Sequence, residues 1–404
     1  MSSDPVDPIL NRRFRRGDFL KLGAAAAGAS VLAACGSSNN AAPEPAAAPP
    51  ATPEPAAAPP TPEPAPARPT IDQESGTLRV FEWAGYEYPT YGGKGGPLQP
   101  YVDKYGKPKF TFLTSDDQAI GKVRAGFKPD VVHPCVSYVK DWVDLGAVQP
   151  WDTSLIPSFK NLNPALVTNA QVDGKQYFLP LDWGFSSILY RNDKVEPQDN
   201  SWSLYFDERY KGKISWWDSP IENFLIFGYT QGFDPYNWDL WTDQQLGDAK
   251  KFLIEKKKLV RNIWSSETDM QTDFAAGNIW IAYAWGGDYA FAKSKKMDVT
   301  YMEPKEGRLS WNCGLVLGAD TKNYYHAHEY AEAWASAASA DWIIANYYYG
   351  HSNTTADIAK IDPNLVKVFH LDDPGALQEP KAHIERWVPD RRKLSKAWDE
   401  VKAA

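Results

Sequence analysis

Several signatures of common protein classes are missing from this sequence. No Walker, Rossmann or HExxH motif occurs, so neither a nucleotide-binding loop nor a zinc-protease site is indicated. Aspartate and glutamate (51) outnumber lysine and arginine (43), and the formal net charge of −8 argues against a nucleic-acid partner. No internal repeat is visible. Only three cysteines occur, at positions 35, 135 and 313, and this scarcity limits the chain to a single disulfide.

Aromatic residues, by contrast, are abundant. They make up 14% of the 404 residues and include 17 tryptophans, enough to fill a core and to line a Trp-rich cleft as well. The length favours a tail followed by two lobes.

Residues 1–34 are typical of an export signal. A basic stretch precedes a short Ala-rich run, residues 22–31, which is too short to span a bilayer. The run ends in Leu32-Ala-Ala-Cys35, which resembles the lipobox of bacterial lipoproteins. We therefore expect cleavage before Cys35, acylation of its thiol, and a membrane-anchored protein in the periplasm or cell envelope. Arg15-Arg16 resembles a twin-arginine signal, but Phe19 lies one residue further away than that motif expects, so twin-arginine and Sec export both stay open.

Residues 35–75 are rich in alanine, proline and glutamate and cannot bury a core. We expect an extended tether between the lipid and the folded chain. Because an exported protein meets oxidising surroundings, Cys135 and Cys313 are candidates for a disulfide, the alternative being two small buried free thiols.

From residue 76 onward, strands alternate with helices at a spacing that predicts a mostly parallel α/β sheet. The stretch 278–288 is typical of a buried strand that runs into a tight turn. It would deliver Trp285 and Asp288 at its carboxyl end, the edge where open α/β sheets bind ligands. A ring beside a carboxylate suits an organic cation. The alternative is a core tryptophan followed by a helix-capping aspartate.

Two long β-prone runs, residues 177–190 and 309–318, are predicted to cross between lobes, with hinges near 181–188 and 309–317. Glu222 opens an apolar helix after Ser219-Pro220. That arrangement also fits a helix-capping pattern, so ligand binding and capping both stay open for this residue.

A series of local patterns runs from Thr77 to the C-terminus. It comprises Trp83-x-x-Tyr86, Asp130-Val-Val-x-Pro134, Pro180-x-x-Trp-Gly184, Tyr210-Lys-Gly-Lys-Ile214, Asp218-x-Pro-x-Glu222-x-Phe224, Trp285-x-Gly-Asp288, Pro304-Lys-Glu-Gly307, Trp311, Ala319-Asp-x-Lys-Asn323 and Tyr349. Each pattern is weak alone. Their order and spacing together resemble bacterial periplasmic substrate-binding proteins of the spermidine/putrescine type, the soluble receptors of polyamine ABC importers.

The resemblance implies an α/β fold with two lobes of the Venus-flytrap kind, mixed sheets and at least two hinge crossings. It assigns residues 76–182 and 311–404 to lobe 1 and residues 183–310 to lobe 2. It also implies a monomeric receptor, not an enzyme, that needs no cofactor. Such a receptor closes around a polyamine or another small cationic organic amine and is then recognised by the membrane subunits of an ABC importer.

The resemblance further implies a set of ligand-binding residues. Trp83 and Tyr86 would form aromatic walls on one lobe. Glu222 and Asp288 would accept ammonium groups from the other. The remaining implied positions are Ser137, Asp218, Ser265, Trp285, Trp311 and Tyr349.

Three positions depart from the diamine-binding relatives, which carry acidic residues where this chain has Gly85, Ser219 and Cys313. The losses at Gly85 and Cys313 would remove anchors for one end of a diamine, and a disulfide at Cys313 would add an apolar staple to the ligand wall. We therefore expect an organic amine with one strongly held cationic end, which need not be putrescine or spermidine.

Other hypotheses remain. The same fold could bind iron(III), a choline-like compound or an amino-group acid, or the chain could be a structural lipoprotein without a ligand. Iron would draw on Tyr347-Tyr-Tyr349 but lacks matching His or Glu ligands. An enzyme would need Cys135 as nucleophile and His133 as base, with no third group to orient them. His326 and His328 are expected to be solvated and not to bind a metal.

Overall fold

The computed structural model describes residues 74, 76–87, 96–232, 234, 236, 242–373, 375–377, 381–389 and 391–404. The predicted signal peptide, the predicted lipidation site Cys35 and nearly all of the predicted linker lie outside these residues. Across the described ranges, no helix combines the length and apolar character required to cross a membrane.

The described strands, in chain order, are β1 (Arg79–Trp83), β2 (Lys109–Leu113), β3 (Val131–Val132), β4 (Val148–Gln149), β5 (Gln171–Val172), β6 (Lys175–Gln176), β7 (Phe178–Arg191), β8 (Ile214–Trp217), β9 (Val260–Trp264), β10 (Ile281–Trp285), β11 (Val299–Tyr301), β12 (Arg308–Gly318), β13 (Gly350–His351) and β14 (Ala382–Ile384). Twelve of them form one mixed sheet, whose main path runs β2-β1-β3-β12-β7-β10-β8-β9, while β5 and β6 pair separately.

The described α-helices are α1 (Gln99–Tyr105), α2 (Asp116–Arg124), α3 (Val139–Asp144), α4 (Pro164–Asn169), α5 (Pro220–Thr230), α6 (Asp243–Lys257), α7 (Glu267–Ala275), α8 (Gly286–Ser294), α9 (Tyr324–Ala335), α10 (Ala337–Tyr347), α11 (Pro363–Val368) and α12 (Arg391–Ala403). Helices α2, α5, α7 and α8 each follow the carboxyl end of a parallel strand. Capping residues fix two of these starts: Ser115 accepts a hydrogen bond from the Gln118 N–H, and Ser266 accepts one from the Asp269 N–H.

Strands β7 and β12 pair in antiparallel fashion and tie the two halves of the sheet together. At one end Phe178 pairs with Val316, which also pairs with Val132 of β3. At the other end Ser186 pairs with Leu309 and with Trp285 of β10. We call the part around β1, β2 and β3 the first lobe and the part around β8, β9 and β10 the second lobe. The two predicted crossings therefore correspond to β7 and β12.

The C-terminal part of the chain packs with the second lobe. Helix α12 lies against α5 and α6, and its apolar stripe, Leu394, Ala397, Trp398 and Val401, belongs to the second-lobe core. The spacing of that stripe matches one face of a helix, which explains why the whole segment docks on one surface. The structure thus places residues 391–403 with the second lobe, whereas the resemblance assigned all of 311–404 to the first. The rest of the lobe assignment stays a prediction.

Candidate ligand-binding site

Side chains from both lobes gather at the carboxyl ends of the parallel strands. Trp83 ends β1, and Asp116 and Ser137 follow β2 and β3 in the first lobe. Glu222 follows β8 and Trp285 ends β10 in the second lobe. This is the edge of an open α/β sheet at which ligands bind, so the observed placement agrees with the strand-end argument.

The first lobe contributes Tyr86 and Trp83 to this edge. The Tyr86 hydroxyl donates a hydrogen bond to Asp182 Oδ2. Its ring packs edge-on against His133 and Tyr347, with centroid distances of 4.8 and 5.3 Å. Trp83 is half-buried, and within the described residues its indole N–H is buried without a hydrogen-bond partner. Both aromatic side chains are therefore held by the interior of the lobe.

Trp311 and Tyr349 form a second aromatic pair, in edge-to-face contact at 4.8 Å. Trp311 lies so close to Gly184 of β7 that a Cβ at this glycine would sit 2.5 Å from the indole ring. The chain reaches Tyr349 through Tyr348, which ends α10 in the left-handed conformation (φ 58°). That conformation is uncommon for a residue with a side chain, and it sets the direction in which Tyr349 leaves the helix.

Tyr349 stands between acidic groups of both lobes. Burial raises the pKa of its hydroxyl, and the carboxylates of Glu267, Asp182 and Asp288 raise it further. Asp182 belongs to β7, whereas Glu267 and Asp288 lie in the first turns of two helices of the second lobe. Tyr349 therefore marks a point at which negative charge from the two lobes converges.

Glu267 and Asp288 form a carboxylate pair at this point. Asp288 is 1% exposed and accepts hydrogen bonds from Gln271 Nε2 at 2.9 Å and from the Trp285 N–H at 2.8 Å. Burial raises its pKa well above the ordinary value, and the neighbouring charge of Glu267 raises it further. Burial also raises the pKa of Glu267. Two acids that share a desolvated site favour either a shared proton or a bound cation.

The pair borders an aromatic box in the second lobe. Trp285 makes edge-on contacts with Trp217 and Trp264 at centroid distances of 5.1 and 5.2 Å, and Trp217 stacks on Tyr283 at 5.3 Å. Trp285 itself is only partly buried. Its ring is thus fixed by neighbours while part of its surface remains accessible.

Glu222 belongs to a different acidic group. It accepts a hydrogen bond from the Ser219 hydroxyl, and burial raises its pKa although Ser219 and Arg391 act in the opposite direction. Burial likewise raises the pKa of Asp116 to about 7 and that of Glu385 to about 8, and Glu222 adds to the shift at Glu385. These three carboxylates come from the first lobe, the second lobe and the C-terminal segment.

Arg391 is the cation of this acidic group. Its guanidinium donates to the Ser137 carbonyl, lies 3.4 Å from Asp141 Oδ2 and stacks 3.6 Å from the centroid of the Tyr138 ring. Because α12 is docked on the second lobe, Arg391 links that lobe to residues 137–141 of the first. Ser137 therefore contributes its backbone carbonyl to an internal contact.

A family model decides what kind of protein has this architecture. The model of bacterial extracellular solute-binding proteins matches residues 100–363, more than half of the chain. The chain belongs to this family.

Individual relatives agree with the resemblance drawn from the sequence. This solute-binding protein is 27% identical over 363 residues to the putrescine-binding periplasmic protein PotF of Escherichia coli, covering 83% of this chain and 93% of PotF. It is 29% identical over 353 residues to the putrescine-binding periplasmic protein SpuD of Pseudomonas aeruginosa, covering 81% and 92%. A solved structure of a putative spermidine/putrescine ABC transporter protein from Listeria monocytogenes superposes with a TM-score of 0.67 at 18% identity, covering 81% of this chain and 99% of that one. The predicted two-lobed α/β fold is confirmed.

Two implied ligand residues stand apart from the acidic groups of this solute-binding protein. Asp218 accepts a hydrogen bond from Trp398 Nε1 at 2.7 Å and pairs with Lys402 at 3.0 Å, so its carboxylate is occupied by the C-terminal helix. Ser265 is exposed at the end of β9. The structure thus shows Asp218 in contact with the helix of residues 391–403, and a ligand-binding role for it stays a prediction.

Glu222 and Asp288 also do not act as one pair. Asp288 shares its site with Glu267 and Gln271, whereas Glu222 shares its site with Glu385 and Arg391. Helix capping was the alternative role considered for both residues, and the structure shows such contacts. Asp288 caps α8 through the Trp285 N–H, and Glu222 bonds to Ser219 at the start of α5. The two residues bring charge to two separate parts of the strand edge.

Cys135 and Cys313 are joined by a disulfide in the structure. The bond links the chain after β3 to the crossing strand β12. Gly85, another of the three positions that depart from the diamine-binding relatives, has φ 111°, a conformation that residues with side chains rarely adopt. Its carbonyl accepts a hydrogen bond from the Tyr347 hydroxyl at 2.7 Å. The backbone conformation between Trp83 and Tyr86 thus favours a glycine at position 85.

The arrangement of His133 and Cys135 gives no support to nucleophilic catalysis. Cys135 is bonded to Cys313, and the two ring nitrogens of His133 face Glu82 and Asp182 at 2.5 and 3.4 Å. Sequence reasoning did not find this Glu82-His133-Asp182 cluster, because its members lie on three different strands or strand ends.

The expectation for His326 and His328 was wrong, because both rings are buried. His326 Nδ1 lies 2.6 Å from Glu74, and His328 contacts the Tyr324 carbonyl and the Asp152 N–H. Within the described residues, no group of three or more His, Cys, Asp or Glu side chains is arranged to hold a metal ion.

Proposed function

We propose that this protein is the extracytoplasmic receptor of an ABC importer and that it captures a small organic amine between its lobes. The observation that carries this proposal is the buried acid pair Glu267–Asp288. The charges of this pair raise the pKa of Tyr349, and the pair lies next to the partly accessible ring of Trp285.

The chemistry of this pair favours a cation. A desolvated carboxylate pair is costly unless positive charge compensates it, and an ammonium group supplies both the charge and hydrogen-bond donors. The rings of Trp285 and Tyr349 can cover the aliphatic part of an amine and attract its charge through their π faces. PotF and SpuD carry putrescine in their names, and their similarity supports the same ligand class here.

The expected ligand has one strongly held cationic end. Glu267 and Asp288 would hold that end from the second lobe. On the first lobe, Gly85 and the bonded Cys313 bring no acidic side chain to the positions where the resemblance expects one.

An amino-group acid is the second candidate ligand. Within the described residues, Nη1 of Arg391 is buried without a hydrogen-bond partner, and a carboxylate on the ligand would suit it. The surrounding Asp116, Glu222 and Glu385 disfavour an anion, so this candidate ranks below the amine.

A thermal-shift screen followed by calorimetry tests the proposal, because a ligand that binds only the folded state raises its stability. The panel contains putrescine, spermidine, choline and 4-aminobutanoate, with butane-1,4-diol as an uncharged control of matched length. A stabilising amine and an inert diol are expected. Stabilisation by 4-aminobutanoate alone would favour the second candidate, and no response to any charged compound would contradict the proposal.

We further propose that the mature protein begins at Cys35 and is held at the membrane by acylation of that residue. Cys35→Ala should move the protein from the membrane fraction to the soluble fraction, while Cys313→Ala should not. Equal membrane association of the two variants would contradict the anchor.

The proposed cycle is a binding cycle and not catalysis. Ligand contacts from both sides stabilise a closed arrangement hinged at β7 and β12, and the importer's membrane subunits then recognise that arrangement. The lobe assignment and a monomeric state belong to this proposal.

A further inference from the structure

Three ionisable side chains meet inside the first lobe, directly behind Tyr86. Glu82 and His133 are 0% exposed and Asp182 is 1% exposed. His133 Nδ1 lies 2.5 Å from Glu82 Oε1, and its Nε2 lies 3.4 Å from Asp182 Oδ1. Both nitrogens face carboxylates, so the imidazolium, a donor at both positions, suits the site, although the contact between Nε2 and Asp182 Oδ1 is an ion pair without a hydrogen bond. Burial opposes that charge, but Glu82 and Asp182 outweigh it and raise the pKa of His133 to about 10.

The charges of this cluster do not cancel. Two carboxylates face one imidazolium, which leaves one negative charge. Glu82 is the better-compensated acid, because it also accepts from the Trp83 N–H at 2.8 Å and from the Tyr330 hydroxyl at 3.3 Å. Asp182 has a longer contact with His133, and its other side-chain contact is the hydroxyl of Tyr86. The residual negative charge is therefore located on the side of Tyr86.

Tyr86 receives this charge through its hydroxyl. A phenol has one proton to donate, and that of Tyr86 goes to Asp182 Oδ2. The remaining lone pairs of the oxygen can only accept. The ring cannot easily turn away, because His133 and Tyr347 pack edge-on against it. The hydroxyl oxygen of Tyr86, a half-buried residue that follows β1, is therefore a fixed acceptor with negative charge behind it.

We propose that Asp182, acting through Tyr86, is a specificity-determining positioning residue of the first lobe that selects a protonated N–H group of the ligand. The proposal rests on the proposed capture of an amine and names the chemistry that recognises it: an ammonium donor is accepted, whereas a carboxylate or a carbonyl oxygen is rejected. It gives the first lobe a counter-charge despite the absence of acidic side chains at Gly85 and Cys313.

The charge state of the cluster is tested first, in the ligand-free protein. The chain has six histidines, so nitrogen-detected NMR of their rings is tractable, and His133→Gln assigns the resonance of interest. One ring protonated at both nitrogens at pH 8, absent in His133→Gln, is the expected result. A neutral His133 at pH 7 would overturn the proposal without reference to any ligand.

The role in binding is tested by calorimetry with putrescine and spermidine. Wild type is compared with Tyr86→Phe, Asp182→Asn and the double variant. Each single change should weaken the affinity about tenfold to a hundredfold, as expected for a hydrogen bond to a charged group. If Asp182 acts through Tyr86, the double variant should lie within about threefold of the weaker single variant. Tyr347→Phe is the matched control, because its hydroxyl donates to a backbone carbonyl, and it should change affinity less than about threefold.

The outcomes separate this inference from the function on which it rests. Wild type that binds neither amine would overturn both. Wild type that binds, with unchanged affinity in Tyr86→Phe and Asp182→Asn, would overturn the inference alone. Additive losses would also overturn it, because a merely structural Asp182 weakens binding equally with and without the Tyr86 hydroxyl. Circular dichroism establishes that each variant is folded. Should Asp182→Asn fail to fold, Tyr86→Phe and the NMR measurement decide.

Discussion

Removing the Cys135–Cys313 disulfide should lower the stability of this protein strongly. The two cysteines are 178 residues apart in sequence, so the bond closes a loop that includes β7 and most of the second lobe. The perturbation is the double variant Cys135→Ser, Cys313→Ser, with chemical reduction of the wild type as an independent route to the same state.

The magnitude follows from the loop length. Cross-linking removes conformational entropy from the unfolded chain in proportion to the logarithm of the loop length, and a loop of this size corresponds to about 5 kcal/mol at 25 °C. Removal of a native disulfide typically costs about 2–5 kcal/mol, so we expect a loss in that range in the free energy of unfolding.

Urea unfolding followed by tryptophan fluorescence measures this loss, since the chain has 17 tryptophans in both lobes and the segments around them. Peptide mapping without reduction establishes that Cys135 and Cys313 are bonded in the starting material. The reduced wild type and the double variant should unfold at the same urea concentration, well below that of the oxidised wild type.

Two results would refute this reasoning. Two alkylatable thiols at Cys135 and Cys313 in the unreduced protein would show that the bond does not form. A verified bond with a stability loss below about 0.5 kcal/mol would show that the unfolded chain is not constrained by the loop, or that strain in the native state cancels the gain.

Three further predictions concern charge. The pKa of His133 is raised to about 10 in the folded state from about 6.5 in the unfolded state, so its stabilising contribution is complete below about pH 6.5 and is lost as the pH rises through about 10. Urea unfolding at a series of pH values should show this loss in the free energy of unfolding, and a smaller loss in His133→Gln. An equal dependence on pH in both proteins would contradict the prediction. Glu267→Gln should raise the melting temperature of the ligand-free protein, because the substitution relieves repulsion with Asp288. The same substitution should weaken amine binding at least about tenfold, as measured by calorimetry. An unchanged affinity would show that Glu267 does not contact the amine. Because burial raises the pKa values of Glu267 and Asp288, amine binding should release protons and should tighten as the pH rises. Calorimetry in buffers of different ionisation enthalpy measures the release, and identical heats would count against it.

Much of the fold could be predicted from hydrophobic patterning. The crossings β7 and β12 lie within one residue of the predicted runs at both ends. Both runs are long and mostly apolar and are buried on both faces, which leaves few alternatives to a strand although each run contains polar residues. Strand β9 was missed, since the segment from Val260 to Trp264 is short and its two polar residues are adjacent, so it does not alternate as a half-buried strand would.

The site was less accessible to sequence reasoning, and Glu267 shows why. Without β9, nothing in the sequence distinguishes Glu267 from any acidic residue near a helix start, where charge complements the helix dipole in any case. Recognition of β9 would have placed Glu267 at the carboxyl end of a parallel strand, beside Trp285 and Asp288. The sequence signal that could have identified Glu267 as a site residue was therefore strand β9, which precedes it, and not Glu267 itself.

The contacts of Asp218 and of the Glu82-His133-Asp182 cluster could not be predicted from the sequence for a different reason. Their roles depend on contacts across large sequence separations, 180 residues for Asp218 with Trp398 and 51 for His133 with Glu82. No local periodicity encodes such a meeting. A family resemblance transfers a motif position such as Asp218 but not the helix that occupies its carboxylate.

A crystal structure of this solute-binding protein with putrescine or spermidine tests the central claim most directly. The account predicts an ammonium nitrogen about 2.7–3.2 Å from a carboxylate oxygen of Glu267 or Asp288, with the ring of Trp285 or Tyr349 against the methylene chain and both lobes in contact with the ligand. An amine bound away from these side chains, or touched by one lobe only, would contradict it.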